Sequence, residues 1–276
     1  MTITNWFSVL LFISIFVISF MLTDNAELYV NTLGLTIVLS GTIGAIFLSY
    51  PSSDIAAAFK VARNAYHNDA PTTSEVVDTL IYLSVRSKRK GVIALEDMED
   101  ETTISFLKRA ISMLVDGYSA EELRDVLHTE IYYFKQRRTH HERLFRHASR
   151  LAPAFGVAGS VIGLIAMLSG IGDPQTIIHT IPVALTSTLY GILLANFLFI
   201  PVAEIIYSKT EKEIMLQKLV TDAVINIHQE QNSLRLVKKL ESFVTPSARH
   251  ENEESLEELK ERVRNMRLDE ETASQG

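Results

Sequence analysis

The sequence predicts an all-α integral membrane protein: four transmembrane helices, a helical cytoplasmic domain inserted between helices 2 and 3, and long helices extending from spans 3 and 4. Three observations lead there. Of the 276 residues 47% are apolar and 21% charged, with a mean hydropathy of +0.15, so the two kinds must be segregated along the chain. The apolar residues concentrate in two blocks, 1–50 and 151–206, that hold no Lys or Arg. All 26 basic residues lie elsewhere, fifteen in 51–150 and eleven in 207–276. This composition excludes a disordered chain, and the absence of Cys excludes a disulfide-built secreted domain.

The first span is Trp6 to Leu22, 17 uncharged residues at the lower limit for crossing a ~30 Å hydrocarbon core. No basic residue precedes it and Met21-Leu22-Thr23-Asp24 offers no small-residue cleavage site, so it is expected to stay in the mature protein. A polar reversal, Thr23 to Thr32, leads to the second span, Leu33 to Tyr50, which ends against Pro51. The third begins at Leu151. After the polar stretch Gly172 to Thr176 the fourth reaches Ile206, with Pro182 expected near its first turn. Pro182 to Ile206 would measure about 37 Å at the helical rise of ~1.5 Å per residue, enough to cross with tilt. The one-sided basic residues place 51–150 and the C-terminus in the cytoplasm, and an even number of spans places the N-terminus there too. The expected location is the bacterial cytoplasmic (inner) membrane, with membrane lipid around the spans and nothing that points to nucleic acid.

The cytoplasmic segments read as helical. Asp54 to Tyr66 is amphipathic, and Thr72 and Glu75 stand at capping-box spacing ahead of an apolar run. Thr102 to Val115 places Ile104, Leu107, Ile111 and Leu114 on one face. A second capping box, Ser119 to Glu122, opens a helix that nothing breaks before Pro153, so it should run directly into the third span. The fourth span should likewise continue past Pro201 toward Leu240. The expected organisation is therefore 1–50 for the first two spans, 51–150 for the inserted domain, 151–206 for spans 3 and 4, 207–245 for a helical extension, and 246–276 for a charged, disordered tail.

Ion-carrying proteins usually reveal themselves by an ionisable group inside a span, because such a group costs several kcal/mol unless it is paired or used. The four spans hold none: Asp173 and His179 lie near the outer rim and Glu204 at the inner rim. Either the protein carries no ions, or another chain supplies the titrating group. Small residues line the third span at Ala152, Gly156, Ser160, Gly159 and Gly163, and the fourth at Ala184, Thr188, Gly191 and Ala195. They mark close helix packing, which intrachain contacts would also explain but which we read as a contact with an added helix or a ring of copies. Pro153 and Pro201 each remove a backbone N–H near the end of a span, leaving a carbonyl for an ion or a hinge.

The run Leu151 to Leu164, LAPAFGVAGSVIGL, together with Val183 to Gly191, VALTSTLYG, and Asn196 to Pro201, NFLFIP, resembles the MotA/PomA stator family of the bacterial flagellar motor. The order of spans and the hundred-residue insertion are similar as well, and the resemblance covers about residues 5 to 245. It implies a homo-oligomer, a ring of five copies around two copies of a MotB/PomB-like subunit whose single span carries the ion-accepting Asp. Ion flow would then turn the ring, and the cytoplasmic domain would push on a FliG-like rotor switch protein. Carried over by position, Pro153 and Pro201 match the family's two functional prolines. Ser160 and Thr188 match hydroxyl positions that face the ion in sodium-type members, with Ser160 where Thr is usual. Thr186, Ser187 and Tyr190 complete the candidate ion path. For the rotor contact, a basic residue three before the glycine and an acid five after it give Lys88 and Glu96. Arg86, Arg89 and Lys90 crowd the same loop, and a one-residue shift would make Arg89 the counterpart.

Hydroxyls at 160 and 188 permit Na⁺, whereas H⁺ needs only the partner carboxylate and a water path, so the ion stays open between the two. No resident cofactor or metal is expected. No GxxxxGK, HExxH, Cys pair or GxSxG occurs, so the chain is read as no enzyme, and His140-His141 as exposed rather than metal-binding. The alternatives are an ExbB/TolQ-like or gliding-type ion-driven energiser, or a non-conducting membrane scaffold.

Overall fold

A computed structural model describes residues 11, 14–16, 18–19, 22, 26–67, 71–98, 105–170, 174–229 and 239–240. The first expected span and the 246–276 tail thus lie wholly or mostly outside the described residues, although the described positions in 11–19 are helical. No strand occurs among the described residues. The helices are α1 (Thr32–Ser49), α2 (Ser52–His67), α3 (Thr73–Lys90), α4 (Ser105–Val115), α5 (Ala120–Ser169), α6 (Pro174–Leu194) and α7 (Ile200–His228). Short 3-10 turns cover Ala26–Tyr29 and Val92–Met98. Three described segments are long and apolar enough to cross a membrane: Glu27–Ser49, Ala120–Ser169 and Ile177–His228.

The chain divides into two compact units, one of residues 1–69 and 137–209, the other of 70–136 and 210–276. In the first, Asn31 caps α1 by accepting from the Gly34 N–H at 2.8 Å, and the helix ends where Tyr50 precedes Pro51. The base of this unit is a core of Ile46, Ala58, Leu144, Phe145 and Ile206, joining α1, α2, α5 and α7. Above it the outward faces stay apolar, with Leu48, Val157, Ile165 and Leu185 exposed, as suits a lipid-facing surface.

α5 is a single helix of 50 residues, as its uninterrupted pattern predicts, and Pro153 is accommodated inside it. Pro182 departs from expectation. The fourth helix starts at Pro174, so Pro182 lies in its interior rather than its first turn. Pro174 takes the first-turn position, where the missing N–H costs nothing, and the polar stretch 172–176 is partly helix. α6 and α7 join through one π-turn, Ala195–Phe199, so the helical run continues from Pro174 to His228.

In the second unit both capping boxes form. Thr72 accepts from Glu75 N and its own N–H donates to Glu75 Oε2 at 2.9 Å, and Ser119 and Glu122 do the same at the start of α5. The helix expected from Thr102 is described from Ser105. Gly117, at φ +80°, makes the turn between α4 and α5, a conformation that L side chains rarely adopt. Leu80, Ile81, Leu95, Leu107, Ile111, Leu123, Leu127 and Leu219 are fully buried and bind α3, α4, α5 and α7 into one core.

Candidate functional site

The first unit holds the candidate membrane site, where α5 and α6 pack backbone to backbone. A Cβ on Gly163 would stand 2.7 Å from Ala184 N, one on Gly156 2.9 Å from Ser187 O, and one on Gly191 2.9 Å from Pro153 Cα. The small-residue stripes are therefore consumed within the chain, which removes them as the reason to favour an added helix. Glycine is required here by close approach.

This contact brings Ser160 and Thr188 together. Their hydroxyl oxygens are 2.5 Å apart, Ser160 Oγ is 3.2 Å from Gly156 O and also bonded to Ala184 O, and Thr188 Oγ1 is 3.4 Å from Gly156 O. Four oxygens thus converge, two hydroxyl and two carbonyl, with only two hydroxyl protons among them. Hydroxyl lone pairs remain to accept from water or to face a cation. Both side chains are half-buried, so the cluster is open on one side.

The other candidates of the ion path do not join this pair. Thr186 and Ser187 are buried, with hydroxyls donating back to Pro182 O and Val183 O at 2.6 Å, and they pack toward Gly34 of α1. The Tyr190 hydroxyl accepts from Asn31 N at 2.8 Å and donates to Tyr29 O, fastening the chain ahead of α1. Pro153 lies against Gly191 and withholds the N–H that would meet the Ser149 carbonyl one turn earlier. Pro201 follows the π-turn, in which Ile200 N–H reaches Ala195 O. A ring at 201 would press on the carbonyl of Phe197, and the widened turn gives it room. Asn196 Nδ2 donates to Ile192 O at 2.9 Å within the same turn. Sequence reasoning missed the π-turn and the two carbonyls of the cluster; Pro201 five residues after a polar Asn196 was the one available signal.

The second unit holds the basic candidates, and they are helical rather than a loop. Arg86, Lys88, Arg89 and Lys90 stand on the last turns of α3, which ends at Gly91 with φ +81°. The correction is physical: cations complement the negative helix C-terminus, and glycine supplies the terminating conformation. Lys88, Arg89 and Lys90 are exposed. Arg86 is half-buried and its Nε donates to Ala94 O at 3.0 Å, clamping the turn. Buried Leu95 anchors the 3-10 turn that presents Glu96 outward. His140 is exposed as expected, but His141 is half-buried, and burial followed by the neighbouring His140 and Arg138 charges lowers its pKa.

The profile of the MotA/TolQ/ExbB proton channel family matches residues 98–218. Motility protein A of Bacillus subtilis is 30% identical over 211 residues, 76% of this chain and 78% of that protein. Chemotaxis protein PomA of Vibrio alginolyticus is 29% identical over 84% of this chain and 91% of its own length. Among solved structures, the flagellar MotAB stator complex from Bacillus subtilis superposes with a TM-score of 0.81 at 26% identity, covering 91% of this chain and 98% of that one.

Proposed function

Because this chain belongs to the MotA/PomA group of the MotA/TolQ/ExbB proton channel family, we propose that it is the ring-forming stator subunit of a bacterial flagellar motor. With a MotB/PomB-like partner it forms a channel for H⁺ or Na⁺ and converts ion flow into torque. The observation that carries this reading is the open oxygen cluster of Ser160, Thr188, Gly156 and Ala184 in spans whose one carboxylate, Glu204, stands at the inner rim and is paired with Arg146. Such a cluster can share a cation or an ordered water with an acid but cannot take up a proton itself, so the acid comes from the partner's single span. Similarity to motility proteins over 76% and 84% of this chain supports this over an ExbB/TolQ-like energiser or a non-conducting scaffold.

On this reading the chain crosses the inner membrane four times with both termini cytoplasmic, and five copies surround two partner chains. Pro153 and Pro201 are hinges at the cytoplasmic ends of spans 3 and 4. Lys88 or Arg89, with Glu96, meets a FliG-like rotor switch protein. Reconstitution tests the reading. Vesicles holding this chain alone should pass no cations down an imposed gradient, and vesicles holding it with its acid-bearing partner should. Gradient-driven flux through the chain alone would overturn the borrowed acid.

A further inference from the structure

Beside the end of α1, one face of α5 carries an arginine pair that the ion path does not use. His140, Arg143, His147 and Arg150 recur at spacings of three, four and three, which places them on one face of the helix. The ring of Tyr50, at the end of α1, meets His140 and His147 edge-on with centroids 5.8 Å away in each case. An aromatic ring here suits the membrane–water interface, and the apolar run of the third span starts at Leu151, immediately after Arg150.

The nearby carboxylates are committed elsewhere. Glu142 and Glu204 hold Arg146 at 2.6 and 2.9 Å, and Asp54 holds His140 at 3.1 Å. Arg143 and Arg150 are exposed and have no ion pair among the described residues. On this stripe Arg143 and Arg150 carry a fixed positive charge, because a guanidinium stays protonated. They stand seven positions apart, two helical turns or about 10 Å along the axis. Exposed Phe47 and Leu48, on the last turn of α1, offer acyl chains an apolar surface at the same end of the helix.

We propose that Arg143 and Arg150, with His147 between them and Tyr50 beside it, bind the phosphate headgroup of an anionic phospholipid. Guanidinium groups match phosphate oxygens in pairs, and an anion presented at the border of an apolar run is a lipid headgroup. The site rests on the membrane-spanning reading of α1 and α5, but its test contains no ion flow and so stands apart from the torque-generating role.

The full-length chain in neutral detergent, stripped of lipid, is titrated with phosphatidylglycerol and with phosphatidylcholine of the same acyl chains, and retained lipid is counted by native mass spectrometry. Phosphatidylglycerol should be preferred by about fivefold per arginine, or about 25-fold for the pair. Arg143→Gln with Arg150→Gln should reduce it to the phosphatidylcholine level, and Arg150→Gln alone should remove about fivefold. Arg143→Lys with Arg150→Lys, which keeps both charges but loses the paired N–H donors, should fall between the parent and the double glutamine variant, and Arg137→Gln, exposed on the same helix, should bind as the parent does. Circular dichroism confirms equal helicity among variants. Equal retention of the two lipids, an unchanged preference in the double glutamine variant, or full displacement by inorganic phosphate at equal concentration would overturn the proposal.

Discussion

Thr186, Ser187 and Thr188 are adjacent hydroxyl residues with different work to do. A helix turns each residue about 100° from the last, so three in a row cannot share a partner. Thr188 meets Ser160 across the α5–α6 contact, while Thr186 and Ser187 satisfy their own helix and pack toward α1. Removing the Thr188 hydroxyl deletes one of the four converging oxygens. A leucine at 153 would restore the N–H that Pro153 withholds from the Ser149 carbonyl. Thr188→Ala and Pro153→Leu are each expected to abolish swimming on soft agar in a motile host lacking its own copy, while immunoblots find the chain in the membrane fraction at parental level. Unimpaired swimming in both would remove these residues from the ion path.

At the scale of helices, the α5–α6 contact depends on glycines whose neighbours are backbone atoms, which cannot give way as a flexible side chain can. A Cβ at Gly191 would meet Ala152 O at 2.5 Å and Pro153 Cα at 2.9 Å, so Gly191→Ala forces the two helices apart. Overpacking of this kind costs about 1–3 kcal/mol. Gly44, on α1, has nothing within 4 Å of where an added methyl group would stand, so Gly44→Ala relieves a weak helix former at no steric cost. The expected result is a melting temperature lowered by several degrees for Gly191→Ala and unchanged or slightly raised for Gly44→Ala, read by circular dichroism in detergent. Equal melting of the two variants would show that the contact is looser than its distances say.

Across the whole molecule, the candidate ion path and the candidate rotor contact belong to different compact units, residues 153–201 to one and 86–96 to the other. Damage to one should therefore be separable from damage to the other. Lys88→Glu combined with Glu96→Lys changes exposed charges only, at a helix end and on a 3-10 turn, and leaves the buried Leu95 anchor in place. This pair is expected to spare partner-dependent ion flux in vesicles while reducing torque, seen as slower rotation of tethered cells. Loss of flux in the same variant would show that the rotor assignment is wrong.

Several features were legible in the amino acids alone because their causes are local. Hydropathy marked Leu33 to Tyr50 and the later apolar block, two capping boxes marked the starts of α3 and α5, and the absence of breakers between Ser119 and Pro153 foretold the 50-residue helix. Each depends on neighbours within a turn or two. Packing alone decided which hydroxyls face one another, that the small-residue stripes serve α5 against α6, and that Tyr190 fastens the chain at Asn31, because these depend on how each helix is rotated about its axis. The place of Pro182 has a different cause: hydropathy begins a span where apolar residues begin, whereas a helix begins where its first N–H groups can do without partners, here at Pro174.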